Sequence, residues 1–227
     1  MVVRAAEAET TEGHAALEEL CRIYWPPLYG FARRLGLSPA DADDLTQGFF
    51  EDMLARGAIA RADAARGRFR TFLLTSFRNF HSHQRARAGC QRRGGGQAFV
   101  SLEAMQAAEA RFLEEPVTGD SPDKAYDRNW ATCLLGTVLA AVEHEYQALG
   151  KSAVFCELKG VLWGGRGEGG YAEIARRLGS TEGAIKVAVL RLRQRFGEQL
   201  RVEVAKTLLA PEQVDDEIRY LLSAVSP

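Results

Sequence analysis

Apolar residues recur every three to four positions along almost the whole of this chain, and no segment sustains an apolar–polar alternation. Leu17, Leu20, Tyr24 and Leu28 form one stripe, and Leu45, Phe49, Met53 and Leu54 a second. Phe69, Phe72, Leu73, Phe77 and Phe80 form a third. A period near 3.6 buries one face of a helix, whereas a period of two buries one face of a strand. The chain is therefore expected to be all-α. Its 227 residues, 46% hydrophobic and 26% charged, suffice for one ordinary core or two small ones and exclude a disordered composition.

Breakers divide the pattern. Pro26-Pro27 is expected to interrupt or kink the first helical stretch. Ser38-Pro39 reads as an N-cap followed by proline at the first helical position. The helix it opens carries Asp41, Asp43 and Asp44 in its first turns, where the dipole favours acids. Gly94-Gly95-Gly96 closes a basic run. From there to about Asp127 the sequence is mixed and reads as a linker, with a short helix over Ser101–Phe112. Asp127 to Trp163 reads as two helices split near Gly150. The expected organisation is two small helical domains, 12–93 and 128–205, joined by a linker at 94–127 and followed by an acidic tail at 206–227. Val214, Ile218, Leu221 and Leu222 give that tail one apolar face, so it is expected to form a short helix that packs on or regulates one domain.

The total charge is near zero, with 29 Lys+Arg against 30 Asp+Glu, but the signs are segregated. Arg56 to Arg93 holds ten arginines and a single acid, Asp63. Arg176 to Lys206 holds eight basic residues against the acids Glu182, Glu198 and Glu203. Two basic blocks on helices are the electrostatic footprint of a chain that meets a phosphate backbone twice.

The second block contains YAEIARRLGSTEGAIKVAVLRLRQRF, Tyr171 to Phe196. Ile174, Ala175 and Leu178 make the inner face of a first helix, and Gly179 ends it. Ser180 or Thr181 can cap a second, whose Ile185, Val189, Leu192 and Phe196 face inward. Lys186, Val187, Leu190, Arg191 and Arg193 are left on the outside. That is the pattern of a helix–turn–helix whose second helix enters a major groove.

Two further stretches, SPADADDLTQGFF (Ser38 to Phe50) and RGRFRTFLLTSFRNFHSHQRARA (Arg66 to Ala88), stand with LYGFARRLG (Leu28 to Gly36) before them and the helix–turn–helix after. In this order they resemble bacterial RNA polymerase sigma factors, specifically the two-domain extracytoplasmic-function (ECF) group of the sigma-70 family. The resemblance covers Leu17–Ala88 and Trp130–Arg201. It implies that the Asp41–Phe50 helix grips the clamp helices of the polymerase β′ subunit, with Asp41, Asp44, Gln47 and Glu51 as polymerase-binding residues. Gly48 departs from the family, which usually places Glu after that Gln. The Ala62–Arg70 loop and the helix after it would open the −10 promoter element. Arg66, Arg68, Arg70, Arg78 and Arg85 would supply charge there, and Thr71 and Asn79 hydrogen bonds. Opening a duplex needs a place for an unstacked base and cations for the freed strand. In the second domain, Thr181, Lys186, Val187, Leu190, Arg191 and Arg193 would contact the −35 element, and the Trp130–Trp163 helices would support it and meet the polymerase β flap. The implied partners are core RNA polymerase and promoter DNA, together with a regulator such as an anti-sigma factor.

The remaining motifs point to no catalytic residue, no cofactor and no metal. Cys21, Cys90, Cys133 and Cys156 lie far apart, outside zinc or disulfide spacing, and read as reduced, mostly buried thiols. His81 and His83 point apart on a helix. Gly165, Gly167 and Gly170 spell GxGxxG but follow a helix, not the strand that a dinucleotide site needs. The longest uncharged apolar run, Trp130 to Val142, is shorter than the roughly 18–20 residues that cross a bilayer, and no secretory leader is evident. Together these point to a cytoplasmic protein without membrane insertion. The competing reading is a stand-alone helix–turn–helix transcriptional regulator, which has no need of the strand-opening block at Ser38–Ala88.

Overall fold

The computed structural model describes residues 11–61, 68–88, 102–114, 120–164, 170–208 and 210–226. These residues form nine α-helices and no strand. The chain divides into two compact units, Met1–Leu134 with Val204–Pro227, and Leu135–Glu203. Helix α5 (Pro122–Ala148) and helix α8 (Glu182–Lys206) each contribute residues to both. Among the described residues no helix is long and apolar enough to cross a membrane.

The first unit is built on α1 (Thr11–Arg34), α2 (Pro39–Ala55) and α3 (Phe69–Ala88). Pro26 and Pro27 do not interrupt α1 and lie inside it. A proline inside a helix costs about 3 kcal/mol. Ile23, Tyr24, Trp25, Leu28 and Phe31 around the pair are almost wholly buried, and each such side chain contributes roughly 1.5–3 kcal/mol, so packing outweighs the local defect. Asn129 of α5 donates a hydrogen bond to the Pro26 carbonyl at 3.5 Å. Helix α2 starts as the sequence suggested. Ser38 accepts the Asp41 backbone N–H at 3.2 Å and donates to the Asp41 carboxylate at 2.6 Å. The core is aromatic. Trp25 stacks on Phe50, Phe77 meets Phe49 and Phe31 edge to face, and Tyr24 meets Phe69 in the same way.

Two segments from outside the expected first domain pack in this unit. Helix α4 (Leu102–Glu114), drawn from the stretch read as linker, lies on α1. Its Glu109 accepts hydrogen bonds from Tyr29 at 2.5 Å and from Arg33 at 3.0 and 3.1 Å. Burial works against the Glu109 charge, but the Tyr29 and Arg33 hydrogen bonds outweigh it and lower its pKa below the usual carboxylate value. The tail forms α9 (Val214–Val225). Its fully buried apolar residue is Leu221, while Leu222, expected on the inner face, is exposed, and the acid Glu217 is buried instead.

The second unit holds the rest of α5, then α6 (Ser152–Leu158), a 3-10 turn at Lys159–Val161, α7 (Gly170–Arg177) and most of α8. Gly150, at φ +68°, makes the break between α5 and α6 where the sequence placed it. The glycine-rich stretch 165–169 lies outside the described residues. Cys21 and Cys133 are buried as expected, but Cys156 is exposed on α6, a position that spacing alone does not reveal. Cys90 lies outside the described residues.

Candidate nucleic-acid and polymerase interfaces

Helix α2 presents its acids at the surface. Ala42, Leu45, Thr46, Phe49, Phe50 and Met53 face the core, which leaves Asp41 and Asp44 exposed and Gln47 and Glu51 half-buried. Gln47 donates to Glu51 at 3.2 Å, one turn on. Asp43, one turn before Gln47, is half-buried, and burial, with Asp44 beside it, raises its carboxyl pKa. The four expected polymerase contacts therefore share one polar helix surface. Gly48 sits within it, and its missing Cβ would meet Phe80 at 3.5 Å, an ordinary contact distance.

Helix α3 buries Phe69, Leu73, Leu74 and Phe77. Thr71, Thr75, Arg78, Asn79, Ser82 and Arg85 are all exposed. They recur at three- and four-residue steps and so form one polar stripe along the helix. Thr75 belongs to this stripe although it was not singled out in the sequence. Phe72 is half-buried and packs at 6.0 Å on Phe69 near the start of the helix. Arg78 pairs with Asp123 and lies over the Phe31 ring at 5.2 Å. His81 is half-buried, and burial with the nearby Arg85 lowers its pKa. Arg66 lies outside the described residues.

Arg70 departs from expectation. It is 4% exposed, and its guanidinium is bound by Glu217 of α9 and by Asp127 of α5 at 3.1 Å. Burial disfavours its charge, but Glu217 and then Asp127 outweigh that and raise its pKa. Tyr126 donates to the Arg70 backbone carbonyl at 3.2 Å. Arg68, about a third exposed, pairs with the other Glu217 oxygen at 2.8 Å. In this arrangement Arg70 does not reach an external phosphate. The pairing joins residues far apart in sequence, so no local pattern announces it.

In the second unit a short turn joins α7 to α8. Gly179 takes φ +59°, a left-handed value that favours glycine, and Ser180 N–H bonds the Ala175 carbonyl at 2.8 Å. Thr181 caps α8 by accepting the Ala184 N–H at 3.2 Å. Ile174, Ala175, Ile185, Val189, Leu192 and Phe196 are buried. Thr181, Lys186, Val187, Leu190 and Arg191 are exposed, with Val187 and Leu190 at 47% and 57%. Lys186 pairs with Glu182 at 2.7 Å, a pair in the solvent that screening keeps weak. Arg193 is exposed as well. Its guanidinium donates to the Leu162 and Val161 carbonyls at 3.1 and 2.8 Å, closing the end of the 3-10 turn.

Residues 20–89 match the family model of Sigma-70 region 2. This segment covers most of α1, all of α2 and all of α3. No curated protein and no solved structure matches the chain. The matched segment is less than a third of the chain, and the match extends to nothing beyond it.

Proposed function

We propose that the chain is an RNA polymerase sigma factor of the two-domain extracytoplasmic-function type, which directs core polymerase to specific promoters and helps open the −10 region. The observation that carries this is the region 2 match over 20–89, which coincides with a polar stripe on α3 and an acidic surface on α2. Asp41, Asp44, Gln47 and Glu51 hold the β′ clamp helices. Arg68, Thr71, Arg78, Asn79 and Arg85 handle the −10 strand, and half-buried Phe72 offers an aromatic surface beside them. Thr181, Lys186, Val187, Leu190 and Arg191 read the −35 element, while the helices before them meet the β flap. The domain plan behind this reading is 12–93 for the polymerase-binding and −10 part and 128–205 for the −35 part. The chain is not itself an enzyme, because polymerase does the chemistry. It acts in the cytoplasm, and a partner such as an anti-sigma factor that covers one of these faces would silence it.

The test is to pass the purified chain with bacterial core RNA polymerase over a sizing column, then assay run-off transcription on the DNA upstream of its own gene. Co-elution with new transcripts is the expected result. Asp44→Ala with Gln47→Ala should abolish co-elution and spare duplex binding, and Lys186→Ala with Arg191→Ala should do the reverse. Absence of co-elution together with tight duplex binding would refute the sigma reading and leave a stand-alone regulator.

A further inference from the structure

The acidic tail helix makes an unusual set of contacts for a segment of its size. One carboxylate, Glu217, is 2% exposed and is shared between two guanidiniums, one oxygen to Arg68 and the other to Arg70. One turn further along α9, the Tyr220 ring lies against the same two guanidiniums, 4.9 Å from Arg68 and 4.0 Å from Arg70. The Tyr220 hydroxyl donates to Asp127 at 2.5 Å. A bridging oxyanion plus an aromatic face stacked on arginine is what a nucleotide offers, as a phosphate with an adjoining base.

We propose that α9 is an intramolecular competitor of nucleic acid, with Glu217 in the place of a strand phosphate and Tyr220 in the place of a stacked base on Arg68 and Arg70. The proposal rests on reading α3 as a nucleic-acid-binding helix, as argued above. It adds that this helix is covered at its N-terminal end in the free chain.

Physical chemistry favours a removable cover over a permanent brace. A brace gains most from apolar burial, yet α9 has Leu221 as its fully buried apolar side chain and leaves Leu222 exposed. Its main buried contact is ionic, and a buried ion pair gives little net stability over an apolar one of similar volume. Both partners of such a pair are well solvated once separated. Asp127 also stays beside Arg70 when α9 departs, so the guanidinium is not left without a counter-charge. Finally, Asp215 and Asp216 precede Glu217 in the first turn of α9. They place further negative charge on the helix that seats on the basic block, as a competitor of DNA requires.

The test compares the full-length chain with full-length Glu217→Gln and Leu221→Asp variants. The first removes the charge that bridges the arginines, and the second removes the apolar anchor of α9. Binding to a fluorescein-labelled single-stranded oligonucleotide is read by anisotropy, and helix content by circular dichroism. A cover that is mostly closed lowers apparent affinity by the fraction of open molecules, so release should tighten binding on the order of tenfold. Adding Arg68→Gln and Arg70→Gln to the Leu221→Asp chain should remove that gain. Unchanged or weaker binding by Glu217→Gln with its helix content intact would overturn the proposal. If Leu221→Asp fails to fold, Glu217→Gln decides alone. Co-elution of the unaltered chain with core polymerase is run in parallel. Co-elution without any gain by the variants would refute the cover and keep the sigma reading. A gain without co-elution would support the cover and refute polymerase binding.

Discussion

Two glycines in the first unit give the same substitution opposite signs. Both Gly30 and Gly48 sit inside helices, α1 and α2, so replacing either by alanine gains about 1 kcal/mol of helix propensity. At Gly48 the new Cβ would sit 3.5 Å from Phe80 and 3.8 Å from Gln84, ordinary packing distances, so the gain survives. At Gly30 it would sit 2.8 Å from the Asn129 amide nitrogen and force that side chain to move. Asn129 is buried and donates to the Pro26 carbonyl. Displacing it leaves buried polar groups unpaired, a loss of about 1–3 kcal/mol. Gly48→Ala should therefore stabilise by about 1 kcal/mol, and Gly30→Ala should destabilise by about 1 kcal/mol once its propensity gain is offset. Urea unfolding followed by tryptophan fluorescence measures both, because Trp25 and Trp130 are fully buried in this unit and report on it. A Gly30→Ala chain as stable as Gly48→Ala would refute the reasoning, since it would mean that the Asn129 contact exerts no constraint.

Three other predictions follow from the geometry. Arg193→Ala should cost about 1–3 kcal/mol of stability in the second unit, through the loss of two charged hydrogen bonds to backbone, and should leave the salt dependence of duplex binding unchanged. A slope reduced by about one, as expected for a phosphate contact, would put Arg193 on the DNA instead. The lowered Glu109 pKa means that its bonds to Tyr29 and Arg33 stabilise the fold above the ordinary carboxylate value of 4.5 and fade as pH falls through the lower folded value. Glu109→Gln should lose up to about 1 kcal/mol at pH 7 and nothing once the carboxyl is protonated, as read by urea midpoints across pH. Among the described cysteines, a thiol reagent followed by peptide mass mapping should label Cys156 first. Cys21 should react last, because burial, with Glu18 beside it, pushes its thiol up to about 12.

Helix periodicity carried most of the fold into view. The stripe Ile185, Val189, Leu192 and Phe196 is buried as its spacing demands, and Gly179 and Thr181 end and cap the helices they were expected to. These are local effects, fixed within one or two turns of chain. The departures in the first unit involve distant partners. Pro26-Pro27 does not break α1, because the aromatic packing around it outweighs two missing donors. Arg70 reads as an outward cation in its own helix, but it is buried and Glu217 claims it. Leu222 stands exposed while Glu217 is buried for the same reason. A buried acid on an amphipathic helix makes sense only beside the arginines it meets.

Val187 and Leu190 bear on the thermodynamics of the second unit. Two large aliphatic side chains standing in water on the outer face of α8 are a hydration cost that a groove lined by thymine methyl groups would relieve. Duplex binding through this face would then carry a negative heat-capacity change, strengthen on warming over the range where apolar association is entropic, and persist at salt concentrations that dissolve purely ionic contacts.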